Sequence, residues 1–217
     1  MKSKSTEVTI SDSTIFVVDD DREMRNSLRR LLRTMHLNVE LYSSALEFME
    51  CYAPERPGCI ILDVRMPRMS GLELQARLAE QGVRTPVIIV TGHGDVPTAV
   101  RAMKGGAFEF IEKPFDEQEL LDCVNRCIAQ DREMRREAAH HAEIRARMAQ
   151  LTDREREVLE LVVAGQINKV IATMLGISTK TVEAHRSRAM DKMRAASVAA
   201  LAQMYFTVTA SSGHGSV

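Results

Sequence analysis

Apolar residues recur in short blocks through the first 128 positions. Ile15-Phe16-Val17-Val18, Cys59-Ile60-Ile61-Leu62 and Val87-Ile88-Ile89-Val90 are unbroken apolar runs. Such runs predict strands buried on both faces of a parallel sheet. Residues 39–42 and 108–111 are two further strand candidates. Between the blocks the period becomes helical. Met24, Leu28, Leu31, Leu32 and Met35 fall on one helix face, and Leu72, Leu74, Leu78 and Ala79 form a shorter version. Ala99, Ala102 and Met103 lie between Pro97, a start signal, and Gly105-Gly106, a stop signal. Asp116 predicts an N-cap for the last helix of this half, with Glu119 three residues on. Five strand–helix repeats with right-handed crossovers imply a doubly wound α/β domain.

The pattern then changes. DREMRREAAHHAEIRARMAQ is rich in charge and alanine and has neither Gly nor Pro, which predicts a solvated helix joining two domains. His140-His141 within it reads as helix surface, because no third ligand lies at metal-site spacing. From Leu151 all periods are helical. Thr152 with Glu155 is a capping box, and Gly165 ends that helix. Asn168 to Leu175 is a short helix, Gly176-Ile177-Ser178 a tight turn, and Thr179 to Met193 a second helix; Ser197 opens a last one through Phe206. The tail SSGHGSV has the composition of a chain end without fixed structure. The resulting division is an α/β domain over 14–128, a helical linker over 129–149 and an all-α domain of four helices over 150–208.

Composition narrows the class. Of 217 residues, 45% are hydrophobic and 27% charged, an ordinary globular balance. The formal net charge is −1, so the chain is no indiscriminate basic coat for nucleic acid. The average hides an asymmetry. Residues 14–127 hold 14 basic and 18 acidic side chains, or −4, and residues 151–217 hold 8 and 6, or +2. No apolar run is long enough to span a bilayer, and the N-terminus has no signal-peptide core. A cytoplasmic protein without a membrane partner is expected. Cys51, Cys59, Cys123 and Cys127 form no CxxC pair and read mainly as reduced core thiols.

The polar residues that interrupt the apolar blocks carry the chemistry. Asp19, Asp20 and Asp21 follow the first strand, Asp63 the third, Thr91 the fourth and Lys113 the fifth. In a doubly wound sheet all of these reach the carboxyl edge, where such folds bind ligands. Carboxylates gathered on one edge repel one another and imply a bound cation. An oxygen-only donor set points to Mg²⁺. A hydroxyl and an ammonium beside them can hold phosphoryl oxygens. The set suits formation of an aspartyl phosphate, with a carboxylate as nucleophile.

IFVVDDD, IILDVRMPRMSGLEL and PVIIVTGHGDVPTAVRAMKGGAFEFIEKPF, in this order and spacing, resemble the receiver domain of two-component response regulators. The resemblance implies a flavodoxin-like fold of strand order 2-1-3-4-5, an order the receiver CheY exemplifies. It also implies roles. Asp63 is the phosphoacceptor; Asp19, Asp20 and Asp63, with the backbone carbonyl of Arg65, hold Mg²⁺. Thr91 is the switch hydroxyl, Lys113 the phosphoryl-binding ammonium and Phe110 the aromatic switch. The Lys113-Pro114 bond is cis. From the residues alone, Phe110 reads equally well as core.

LTDREREVLELVVAGQINKVIATMLGISTKTVEAHRSRAMDKM resembles the LuxR-type helix-turn-helix, and the two domains together resemble the NarL/FixJ architecture, its FixJ branch most of all. This implies that the helix from Thr179 enters the major groove. Thr179, Lys180, Glu183, Arg186, Ser187, Arg188 and Lys192 are polar on it, while Val182, Met190 and Met193 form the inward stripe. Lysine and arginine supply phosphate contacts without sequence choice. Base reading falls to Glu183, Ala184 and Ser187, with Arg186 a further candidate. Lys169, at the start of the scaffold helix, is expected on a phosphate, and His185 is open between packing and a phosphate contact. Glu183 stands where many relatives carry a base, Val170 where they carry an acid, and Ala189 where they carry Val or Ile.

The expectation is a phosphorylation-controlled transcription factor, not an enzyme. A sensor histidine kinase, promoter DNA, a second copy after phosphorylation and RNA polymerase are its partners. The enzyme alternative is a Mg²⁺-dependent phosphohydrolase. It lacks a general acid two residues after Asp63, where Arg65 stands, and it leaves the helix-turn-helix unexplained.

Overall fold

The computed structural model describes residues 13–92 and 94–212. The expected absence of a leader core and of fixed structure in the tail concerns residues that lie largely outside these. The chain divides into two compact units at Arg135/Arg136.

The first unit is a five-stranded parallel sheet of β1 (Thr14–Val18), β2 (Asn38–Tyr42), β3 (Gly58–Leu62), β4 (Val87–Thr91) and β5 (Glu109–Glu112) in the order β2-β1-β3-β4-β5. The helices between them are α1 (Arg22–Arg33), α2 (Ala45–Cys51), α3 (Gly71–Glu80) and α4 (Val96–Lys104), and α5 (Glu117–Met148) follows β5. Alternate side chains of the central strands feed two cores, because successive strand residues point to opposite faces. Phe16, Val18, Ile60, Leu62 and Ile89 pack on Phe48, Leu74, Leu78 and Ala102. Ile15, Val17, Ile61, Ile88 and Val90 pack on Leu28, Leu32, Leu120 and Val124. Each Val, Leu, Ile or Phe side chain among these, fully buried, contributes about 1.5–3 kcal/mol.

Two features depart from the sequence reading. The seven-residue α2 carries no clear period but is held by Ser44, whose side chain caps it. More consequentially, there is no separate linker helix. Residues expected as a solvated connector continue α5 without a break to Met148. Asp131 is buried and accepts from the Gly58 N–H at 2.9 Å. Arg135 donates to Asp131 and to the carbonyls of Pro54, Glu55 and Arg56 at 2.8–3.1 Å. Ile144 and Met148 are buried in the core of the second unit.

In that unit Ile144, Val158, Leu159, Ile171, Val182, Met193 and Leu201 share one core. Its helices are the end of α5, α6 (Asp153–Val163), α7 (Asn168–Leu175), α8 (Thr179–Met193) and α9 (Val198–Ser212). The Thr152–Glu155 capping box is formed. α7 ends at Gly176 in a left-handed conformation, φ 67°, which only a residue without a side chain adopts without strain. Ser178 then caps α8 by accepting from the Thr181 N–H. α9 runs past the expected Phe206. Among the described residues no helix is long and apolar enough to cross a membrane.

Candidate functional site

β1 delivers Asp19 to the carboxyl edge of the sheet and β3 delivers Asp63 beside it. Both are buried, at 3% and 7% exposure. Gly71, at the start of α3, lies directly against this position. A Cβ there would meet the Asp63 carbonyl oxygen at 2.1 Å, so any side chain would push α3 away from the site. Lys113 follows β5 and bridges the two acids, with its Nζ donating to Asp19 Oδ2 at 2.8 Å and to Asp63 Oδ1 at 3.0 Å. The other Asp63 oxygen accepts from the Arg65 N–H at 2.6 Å. Thr91, fully buried, ends β4, and its carbonyl receives the Lys113 N–H. The Lys113-Pro114 bond is cis. Phe110, half-buried, packs against the first core.

The three consecutive acids have distinct surroundings. Asp19 also accepts from the Asp21 N–H. Asp21 caps α1, accepting from Glu23 and Met24. Asp20 is exposed at the rim. Burial raises the pKa of Asp63, and Lys113 offsets this only in part. Burial also works against the Lys113 ammonium, but the hydrogen bonds it donates to Asp19 and Asp63 outweigh this and hold Lys113 above its usual range. The two directions compete within one ion pair. The short contacts of Nζ to both carboxylates are those of charged partners. Two buried carboxylates against one ammonium leave a net negative charge, a place suited to an additional cation. Among the described residues no three acidic, His or Cys side chains already form a metal cage.

The cysteines take no part in this chemistry. Cys59, Cys123 and Cys127 are buried thiols, and Cys51 is exposed. Burial pushes the Cys123 thiol up to about 11.

On α8, the side chains of Thr179, Lys180, Glu183, Ala184, Ser187 and Arg188 are exposed, as is Lys169 on α7. Spacings of three and four residues put Lys180, Glu183, Ala184, Ser187 and Arg188 on one face. Two candidates are engaged elsewhere. Arg186 is half-buried and donates to Asn168 Oδ1 at 3.0 Å, tying α8 to α7. Lys192 donates to the buried Glu155 at 2.6 Å and to the Gln150 carbonyl at 3.0 Å. Lys192 is thus the counter-ion of Glu155 in this structure. His185 buries an Nδ1 with no partner among the described residues, in keeping with packing rather than an exposed contact.

A flavodoxin-like sheet with an acid–lysine cluster at its carboxyl edge, followed by a helix-turn-helix, defines a two-component response regulator with a DNA-binding output. Comparison with known proteins agrees over both halves. Residues 15–125 match the response regulator receiver domain, and residues 149–205 match the bacterial regulatory proteins of the luxR family. The chain is 43% identical to Nodulation protein W of Bradyrhizobium diazoefficiens, across 92% of this chain and 88% of that one. It is 46% identical to the transcriptional regulatory protein FixJ of Azorhizobium caulinodans, across 88% and 90%. Among solved structures, the response regulator StyR superposes with a TM-score of 0.83 at 43% identity, covering 89% of this chain and 98% of that one. Full-length FixJ from B. japonicum gives 0.55 at 39% identity, covering 91% and 98%. The chain belongs to the NarL/FixJ-type response regulators, transcriptional regulators that join a receiver to a LuxR-type DNA-binding domain.

Proposed function

We propose that a sensor histidine kinase phosphorylates Asp63 and that the phosphoryl group controls promoter binding by α8. The observation that carries this reading is the Asp19–Lys113–Asp63 cluster. It offers a buried carboxylate nucleophile with an ammonium already within 3.0 Å. The Asp63 oxygen attacks the phosphorus of the kinase's phosphohistidine, the phosphorus–nitrogen bond breaks, and the electron pair leaves with the kinase imidazole. Lys113 remains at hand to pair with a phosphoryl oxygen, and the Thr91 hydroxyl, at the end of the neighbouring strand, takes another. Drawing Thr91 toward the phosphoryl group frees the space into which Phe110 turns, so the β4–β5 edge changes shape.

The donor set fits Mg²⁺, which Asp19, Asp20, Asp63 and the Arg65 carbonyl would hold. Bound there, it supplies charge neutralisation for the phosphoryl oxygens. The surface that changes is the α4–β5 face. Val96, Val100 and Met103 are exposed along α4 at 76%, 45% and 47%. Their spacing makes one apolar stripe, suited to pairing two phosphorylated copies. A dimer presents two α8 helices to half-sites about one helical turn apart. The proposed setting is the cytoplasm, with RNA polymerase as the partner at the promoter.

The test is incubation with acetyl phosphate and Mg²⁺, read by intact mass. One phosphoryl group should appear on the wild type and none on Asp63→Asn. Equal labelling of that variant would overturn the assignment.

A further inference from the structure

At the amino edge of the sheet, opposite the edge that carries Asp63, a second cleft of about 540 Å³ opens between α3, the turns into β4 and β5, and the middle of α5. That volume falls in the range of small-ligand sites, about 300–1,000 Å³. Leu78, Val83, Pro86, Phe108 and Met134 give it apolar walls. Gly105 and Gly106 also line it and put no side chain into the space; a Cβ on Gly105 would meet the Gln75 amide at 3.2 Å. Two of the polar lining side chains have hydrogen-bonding capacity to spare. Gln75 is only 4% exposed. Its Nε2 donates to the Ala102 carbonyl at 3.0 Å, which fixes which end of the amide is nitrogen. Among the described residues no donor reaches Gln75 Oε1, and one Nε2 hydrogen has no acceptor. A nearly buried amide left half-used is costly until water or a ligand completes it. Arg84 is exposed at the cleft and forms no ion pair among the described residues. Its planar donor fork matches a carboxylate.

We infer that this cleft binds a small organic acid that joins a carboxylate, an amide and an apolar body, the chemistry of an N-acylated apolar amino acid. The carboxylate pairs with Arg84. The ligand's amide N–H donates to Gln75 Oε1, and the spare Gln75 N–H donates to the ligand's amide carbonyl. The apolar body covers the walls made by Leu78, Val83 and Phe108. A plain hydrocarbon would leave the Gln75 amide incomplete, and a bare inorganic anion would leave the apolar walls in water. The site lies at the other end of the strands from the phosphoacceptor, and the inference does not depend on the chemistry of Asp63.

The experiment titrates N-acetylleucine into the full chain and follows backbone and side-chain amide shifts by NMR, with N-acetylleucinamide as the uncharged control. A ligand of this size in an open cleft should bind with a Kd of about 1 mM. Saturable shifts are expected at the Gln75 side-chain amide and at the Val83, Gly105, Gly106 and Phe108 N–H groups. The acid should bind about threefold more tightly than the amide, the modest margin of an exposed charge. Arg84→Gln changes an exposed side chain, leaves the fold intact and should remove that margin. Ala79→Phe places an aromatic ring in the cleft from an exposed position of α3 and should abolish the shifts. Absence of saturable shifts at these residues overturns the inference. Equal affinity of the wild type for acid and amide, a margin that survives Arg84→Gln, or binding unaltered by Ala79→Phe does so too.

Discussion

Replacing Arg135 by alanine tests where the receiver ends as a folding unit. In the native state Arg135 Nε meets both Asp131 oxygens at 3.0 and 2.8 Å, and its terminal nitrogens reach the Pro54, Glu55 and Arg56 carbonyls. These contacts pin α5 to the loop that enters β3. The Asp131 side chain is only 3% exposed. Without Arg135 it keeps the Gly58 N–H but loses its counter-ion. Removing one partner of a buried ion pair costs about 3–5 kcal/mol. Arg135 itself is 30% exposed, and water entering its place recovers part of that, so a loss of about 2–4 kcal/mol is expected. The assay is urea unfolding, followed by circular dichroism, of the receiver fragment ending at Arg135. Arg135→Lys should fall between wild type and alanine, because it keeps the charge but not the fork. The double variant Asp131→Asn/Arg135→Ala should lose less than the two single losses together. A fragment ending at residue 128, the boundary expected from sequence, should be less stable than one ending at 135. A change under about 0.5 kcal/mol in Arg135→Ala would refute the reasoning.

Lys192→Met should destabilise the second unit by about 1–3 kcal/mol, because Glu155 is left buried without its cation; unchanged thermal unfolding would contradict this. Glu155 is held below the usual carboxylate range, chiefly by Lys192. That contribution is therefore fully present above the usual carboxylate pKa and is lost as pH falls through the lowered one. The variant should show a flatter stability profile in acid, and an unaltered profile would count against the pairing. On the exposed face of α8, Lys180→Ala should weaken binding to all sequences and lower the salt slope by about one unit. Glu183→Ala should instead alter preference at one or two base pairs, on the order of 1–3 kcal/mol. Competition over a randomised half-site separates the two, and unchanged preference would remove Glu183 from base reading.

Short-range signals made much of this molecule legible. Unbroken apolar runs located the central strands, and cap and turn residues gave the bounds of α7 and α8. The acids, Thr91 and Lys113 could be assigned to one edge because strand ends in a parallel sheet converge there. What stayed hidden depends on partners distant in the chain. Lys192 looks like any solvent-facing lysine until Glu155, 37 residues earlier, is brought against it. Arg186 shows no partner in the sequence until the fold brings Asn168 against it. The Asp131–Arg135 pair reads as an ordinary exposed pair on a charged helix. Only the fold reveals the loop carbonyls it reaches. The short α2 had too few residues to show a period.

The central claim is that phosphorylation of Asp63 governs DNA binding by α8. The most direct measurement is the affinity of the full chain for a target promoter duplex, by fluorescence anisotropy at fixed salt, before and after acetyl phosphate treatment with Mg²⁺. Phosphorylated wild type should bind more tightly and as a dimer, while Asp63→Asn should bind at the untreated level under both conditions. An affinity that does not change in the labelled wild type, or that rises equally in Asp63→Asn, would contradict the account.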